Sequence, residues 1–327
     1  MKNSPLIRNA VLAVLATVGF HTQAQLLFSD NFDSNTSGSW TVNTSASGTH
    51  PATFAFDYST VGIPSAPRSS GGSTSGLKLQ ANLPGGTATF GGISVSPTGQ
   101  SFTGNYVLSF DMWMNFNGPF PGGGSGSTQA GGAGVRTAGS SVQMAGAADS
   151  IHFSATGDGG AAVDYRAYSP NTTSGYVEAS GVFAAGTGAG VRNGSNAYYA
   201  SLGGETAPQD QIDLYSQQTG TTSAGSFGMA WHQVDIKYEN SIATFSIDGL
   251  LIATVDATTA GTLGGNNILL NYYDTNSSQS SDPNAAALLF GLFDNVTVTA
   301  VPEPEEYAAA AAAALLGFAV WRRSRRA

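Results

Sequence analysis

Between residues 25 and 300 the groups able to do acid–base or metal chemistry are three histidines, His50, His152 and His232, and eighteen carboxylates. Zinc is held by patterns such as His-x-His or His-Glu-x-x-His, and neither occurs, so no zinc site is expected. His152 lies between Ile151 and Phe153 and points away from both, which reads as a surface histidine. Carboxylates on alternate positions of one strand share a face, where about 5 Å between them lets nucleophile and acid cooperate. Asp235 and Glu239 have that parity, but Val234, Ile236 and Tyr238 already explain their strand as core on one side and solvated on the other. Asp210 and Asp213 sit in a polar segment after Pro208, and Asp158 sits in the turn composition Thr156 to Gly160. Neither Gly-x-Ser-x-Gly nor a phosphate-cradling Gly-x-Gly-x-x-Gly is present. No catalytic residue is expected from these spacings.

Binding groups are easier to find. Sugar recognition uses flat aromatic faces beside amide and carboxylate partners. Tyr165 shares the parity of Val163 and reads as core, whereas Asp164, Arg166 and Tyr168 share the opposite face and are expected to contact glycan. Tyr198 and Tyr199 are weighed with them and read as structural. A structural calcium is a second expectation, with Asp30 or Asp33 near the start meeting Asp294 near the end through oxygen ligands. No other cofactor is expected.

The elements that would position these groups show a period of two. Tyr106, Leu108, Phe110, Met112 and Met114 fall on one side, with Val107, Ser109, Asp111 and Trp113 on the other. Leu77, Leu79, Ala81 and Leu83 repeat the pattern, as do Ile151, Phe153 and Ala155, then Leu288, Phe290 and Leu292 before Val296 and Val298. No helical stripe persists over three turns. The glycine-rich tract from Gly118 to Gly134 reads as a long loop. Trp231 to Asp256 reads as a three-strand meander, with turns at Glu239-Asn240-Ser241 and Asp248-Gly249. This meander resembles laminin-G-like and concanavalin A-like jelly rolls, and Leu26 to Ser34 and Leu288 to Val298 resemble their first and last strands. The expected fold is all-β, a two-sheet antiparallel jelly-roll sandwich over residues 25–300. The resemblance implies a concave sheet that often handles carbohydrate. A retaining glucanase on this fold would show Glu-x-Asp-x-x-Glu, which is absent.

Both ends read as targeting segments. Lys2 and Arg8 precede an apolar stretch from Ala10 to Phe20, and Thr22-Gln23-Ala24 offers small residues before a cleavage between Ala24 and Gln25. Residues 1–24 are therefore expected to be a signal helix for the export machinery. At the other end, Val301, Pro302, Glu303 and Pro304 precede an uncharged run from Tyr307 to Trp321, then Arg322, Arg323, Arg325 and Arg326. Arginines beyond an apolar helix hold that end in the cytoplasm, and 15 residues is short of the roughly 20 a permanent span needs. Residues 301–327 resemble the PEP-CTERM sorting signal. That implies a bacterial envelope protein held briefly by a short membrane helix, with an exosortase-type enzyme as partner, then found at the surface or outside the cell.

Charge and composition narrow the function. Residues 25–300 carry six basic side chains against eighteen acidic ones, a balance of −12 that argues against nucleic acid. Cysteine is absent, so the fold rests on its core without disulfides. The expected role is a non-enzymatic cell-surface or matrix component associated with extracellular polysaccharide. The alternatives are a polysaccharide hydrolase or lyase, and a passive adhesive spacer.

Overall fold

The computed structural model describes residues 24–122, 128–145, 149–170, 180–188, 190–302, 316–318 and 321–324. In chain order the strands begin with β1 (Leu26–Asp30), β2 (Trp40–Thr44), β3 (Ala52–Asp57), β4 (Ser75–Leu79), β5 (Gly92–Pro97), β6 (Tyr106–Asn115), β7 (Gln129–Thr137) and β8 (Ile151–Thr156). They continue with β9 (Tyr165–Tyr168), β10 (Val182–Phe183), β11 (Trp231–Glu239), β12 (Ile242–Ile247), β13 (Leu250–Asp256), β14 (Asn267–Asp274) and β15 (Phe290–Ala300). Nine form one sheet in the order β10-β13-β12-β11-β6-β15-β4-β3, with β1 also on β15. Six form the other, β2-β5-β14-β7-β8-β9. The result is the expected antiparallel two-sheet jelly-roll sandwich, one compact unit from Leu26 to Thr299.

Alternation builds the core. The even-numbered residues Tyr106 to Met114 of β6 and Val234, Ile236 and Tyr238 of β11 face the other sheet, whose Ile151, Phe153 and Ala155 meet them. Phe153 stacks on Phe245 at 5.0 Å, which ties the two layers together. The meander folds as read. Asn240 and Ser241 both take positive φ, as do Asp248 and Gly249, the paired left-handed conformation that closes two-residue hairpins.

Two parts of the reading need correction. The segment from Gly118 to Gly134 is not all loop, because β7 begins at Gln129 and includes Gly131, Gly132 and Gly134. A Cβ at Gly132 would stand 1.9 Å from the Phe153 carbonyl oxygen, so this strand lies closer to β8 than a side chain permits. In β15 the phase changes at Asn295, whose φ is 52°. Phe293, Val296 and Val298 therefore face the core between the sheets. Phe290 and Leu292 pack instead on the outer side of the nine-stranded sheet with Tyr58, Trp113 and Trp231.

The expected signal helix over 1–24 lies outside the described residues except at Ala24. The same holds for Glu303, Pro304, Arg325, Arg326 and most of the 307–321 run. Residues 316–318 and 321–324 are helical, and among the described residues no helix is long and apolar enough to cross a membrane.

Candidate functional site

The outward face of the six-stranded sheet is polar across its whole width. Hydrogen-bonded register aligns Asn43, Ser94, Asn271, Gly132, Ser154 and Arg166 in one rung. On one side lie Leu269, Gly134, His152 and Tyr168, and on the other Gly92, Tyr273, Ala130 and Thr156. Gly132 and Gly134 carry no side chains, so a trough about 10 Å wide, two strand spacings, separates the β14 groups from those of β8. The Tyr273 hydroxyl spans it to Ser154 Oγ at 2.7 Å, and His152 stacks on Tyr168 with centroids 5.0 Å apart.

An outward polar face normally meets water, but this one is covered. Residues Ser141–Ala145, from the β7–β8 connection, lie across it as a strap. The Gln143 amide donates to Ser94 Oγ at 3.0 Å, and Asn271 Nδ2 donates to the Gln143 carbonyl at 3.1 Å. Met144 and Ala145 pack on Tyr168 and Tyr273. Gln143 Oε1 accepts from the Asp149 amide and from Ser150 Oγ.

Among the described residues two acceptors on this face have no protein partner: Asn271 Oδ1 and His152 Nε2, on residues 0% exposed. The histidine tautomer follows from its neighbour. Ser150 Oγ gives its one proton to Gln143, so across the 3.3 Å contact His152 Nδ1 must donate and Nε2 is left bare. Burial pushes the His152 pKa down to about 3, which keeps the ring neutral. This corrects the reading of His152 as a surface residue. Its side points as expected, but the ring is fully buried and stacks on Tyr168, on which the strap packs.

The three residues expected to contact glycan lie at this sheet's edge. Arg166 and Tyr168 are on the outward face, and Asp164 directly precedes β9. None is exposed, at 3%, 0% and 1%. Arg166 donates through Nε and Nη2 to the Val163 carbonyl. Asp164 accepts from Thr156 Oγ1 at 2.5 Å and from the Gly194 amide at 2.7 Å, and burial nevertheless raises its pKa. Asp158, read from sequence as a turn residue, belongs with this group. Burial raises its pKa, the Asp164 charge adds to the rise, and Arg166 opposes it. Asp158 Oδ1 accepts from the Gly160 amide, and among the described residues the half-buried side chain takes no hydrogen bond from any other residue. It also lines a cavity of about 10 Å³ with Asn115 and Gln129, room for one water.

A second carboxylate cluster sits on the outward face of the nine-stranded sheet. Asp111 and Asp294, each 1% exposed, come from neighbouring strands β6 and β15. Arg68 Nε donates to Asp111 Oδ1 at 2.8 Å, and Asn295 Nδ2 donates to Asp111 Oδ2 at 2.8 Å. Asp294 Oδ2 accepts from Tyr58 and Ser69, and Oδ1 from the Asn295 amide. Burial pushes the Asp294 pKa up to about 6. Beside the cluster runs an open groove of about 620 Å³ whose lining includes Asp30, Asn31, Arg68, Asn295 and Thr297.

The three carboxylates expected to hold calcium are each engaged by neighbouring protein groups. β1 does pair with β15, aligning Asp30 with Val296. However, Asp30 accepts from the Phe32 amide and Trp40 Nε1, Asp33 takes Asn31 Nδ2, and Asp294 is held as above. Among the described residues no three acidic or histidine side chains stand in a metal-holding group. Asp235 and Glu239 are half-buried on β11, and Glu239 pairs with Lys237 at 2.6 Å. Asp210 and Asp213 fall in a short helix, Gln209–Leu214. Tyr198 and Tyr199 are structural: Tyr199 stacks on Tyr165 at 4.1 Å and Tyr198 donates to the Leu251 carbonyl.

No protein-family model and no curated protein matches the chain. Solved structures do. The chain is similar to an endo-1,3-β-glucanase from Streptomyces sioyaensis, at 13% identity and a TM-score of 0.42, covering 86% of this chain and 98% of that one. A glycoside hydrolase family 16 endo-glucanase from Bacteroides ovatus is similar at 14% identity and a TM-score of 0.41, over 84% and 100%. A Bacillus subtilis protein of unknown function with a galectin-like fold gives 9% and 0.38, over 85% and 98%. At such identities the likeness is one of fold. Endo-glucanases recur among these structures, which runs against the expectation of a non-enzymatic matrix component.

Proposed function

We propose that this protein is an exported polysaccharide-cleaving enzyme, a hydrolase or lyase, that engages glycan on the outward face of its six-stranded sheet. The pair of bare acceptors, Asn271 Oδ1 and His152 Nε2, carries the reading. Both need donors, and a polyhydroxylated chain supplies them at each ring. Tyr168 and Tyr273 add ring faces in the same rungs, and Arg166 and Asp164 bound the edge.

Asp158 is the group suited to proton transfer. A raised pKa keeps a carboxyl protonated closer to neutrality, as a general acid requires, and among the described residues only Gly160 and its own amide donate to it. Asp164 is a positioning residue, since its oxygens are taken by Thr156, Ala161 and Gly194. The test is reducing-end or unsaturated-end release by the full chain from a panel of β-glucans, xylan and uronic-acid polymers. Wild type is expected to cleave at least one. Asp158→Asn is expected to lower kcat by about 10²–10⁴-fold with an unchanged melting temperature. A chain inert towards the whole panel overturns the proposal.

The route outside the cell is part of the same reading. Cleavage after Ala24 and processing by an exosortase-type enzyme at Val301, Pro302, Glu303 and Pro304 are supported by residue order alone, with Arg322, Arg323, Arg325 and Arg326 holding the tail inside. Deleting residues 301–327 is expected to abolish envelope retention. Retention unchanged by the deletion rejects this route.

A further inference from the structure

The strap Ser141–Ala145 occupies the face as a ligand would, but it fits only half of what the face offers. It satisfies donors and hydroxyls: Asn271 Nδ2 reaches the Gln143 carbonyl, and Ser94 Oγ takes the Gln143 amide. It brings no donor to Asn271 Oδ1 or His152 Nε2. An acceptor buried without a partner is destabilising, so the covered state holds a penalty that another occupant can relieve. The strap is held on the face by a few weak contacts more, with Ser45 Oγ against Met144 Sδ at 3.3 Å and Ser94 Oγ against the Ser141 carbonyl at 3.4 Å. Met144 and Ala145 contribute small apolar contacts on Tyr168 and Tyr273, and Gln143 Oε1 is fixed only by Asp149 and Ser150 of its own loop.

From this mismatch we infer that the strap is an autoinhibitory contact: it must leave the trough along Gly132 and Gly134 before a hydroxyl-bearing chain binds there. The inference rests on the reading of this face as the glycan site. The strap and the ligand compete for Asn271, whose amide would keep its donor role by turning from the Gln143 carbonyl to a sugar oxygen. Its Oδ1 and His152 Nε2 then accept sugar hydroxyls. Apparent affinity is reduced by the fraction of molecules whose strap is closed, so any loosening of the strap tightens binding.

The experiment uses the full chain and its Gln143→Ala and Met144→Ala variants, titrated with hexasaccharides of β-1,3-glucan, β-1,4-glucan and α-1,4-glucan. Amide hydrogen exchange is followed at 141–145 and at 152–154. Loss of a hydrogen bond or two at the strap should tighten binding of at least one probe by about fivefold or more. Bound probe should speed exchange of the Gln143 amide while slowing exchange on β8. Two variants guard against a single misfolded one, and thermal melts confirm that each is folded. Equal affinity in all three proteins, with Gln143 exchange unchanged by bound probe, overturns the autoinhibitory role and leaves the glycan reading standing. No binding of any probe by any of the three proteins overturns both.

Discussion

Both sheets carry a buried polar cluster on the outward side, yet the two covers are of different quality. On the nine-stranded sheet the Tyr58–Ala66 segment and its neighbours close over Asp111 and Asp294, and each of those four carboxylate oxygens accepts at least one hydrogen bond. On the six-stranded sheet His152 Nε2 and Asn271 Oδ1 have no partner among the described residues, the strap included. A cover that answers every polar group has the character of architecture, since removing it exposes satisfied groups with no gain. One that leaves acceptors bare can be exchanged for something that answers them. Complementarity of the covering segment therefore separates structural burial from a site.

The comparison is broken most easily with pH, because the two clusters hold ionisable groups shifted in opposite directions. His152 is neutral when folded, with a pKa near 3, against 6.5 for the free side chain. Unfolded chains bind the extra proton between those values, so the stability tied to His152 is complete above about 6.5 and drains away as pH falls towards 3. The shift corresponds to a few kcal/mol, of order 5, at full development. His152→Phe keeps a ring against Tyr168 and has no proton to bind. Urea midpoints measured from pH 7 to pH 3 should fall steeply for wild type and much less for the variant. Parallel curves would show that His152 is open to water, and that its face is not sealed by the strap.

Much of the architecture was legible in the sequence. The meander Trp231 to Asp256 announces itself because hydrophobic alternation and paired turn residues agree over three consecutive strands. β7 did not, because Gly131, Gly132 and Gly134 present no side chains from which a period can be read. The phase change at Asn295 was equally silent, since one left-handed residue flips a strand without altering composition. For the site, parity placed Arg166, Tyr168 and His152 on the correct side of their strands. The burial of Tyr168 was out of reach because it depends on a separate segment, Ser141–Ala145, which reads as an ordinary loop. Asp158 was missed for a related reason. Its raised pKa comes from burial and from Asp164, and a turn composition carries no trace of either.

The smaller pH effect belongs to the nine-stranded sheet and has the opposite sign. Burial raises Asp294 to about 6 from 3.8, against the combined pull of Ser69, Asn295 and Tyr58 towards the charged form. Here the folded state binds the extra proton, so stability is greatest below about 3.8 and is lost as pH rises through 6, by about 3 kcal/mol. Asp294→Asn places a neutral amide in the same volume, and Tyr58 and Ser69 can turn their hydroxyls to suit it. Between pH 4 and 7 the variant should lose the decline that wild type shows, and near pH 7.5 it should be at least as stable. Guanidinium melts at those two ends provide the check. A variant markedly weaker than wild type at pH 7.5 would mean that the three hydrogen bonds to the carboxylate outweigh its desolvation, and that this closed cluster depends on its negative charge.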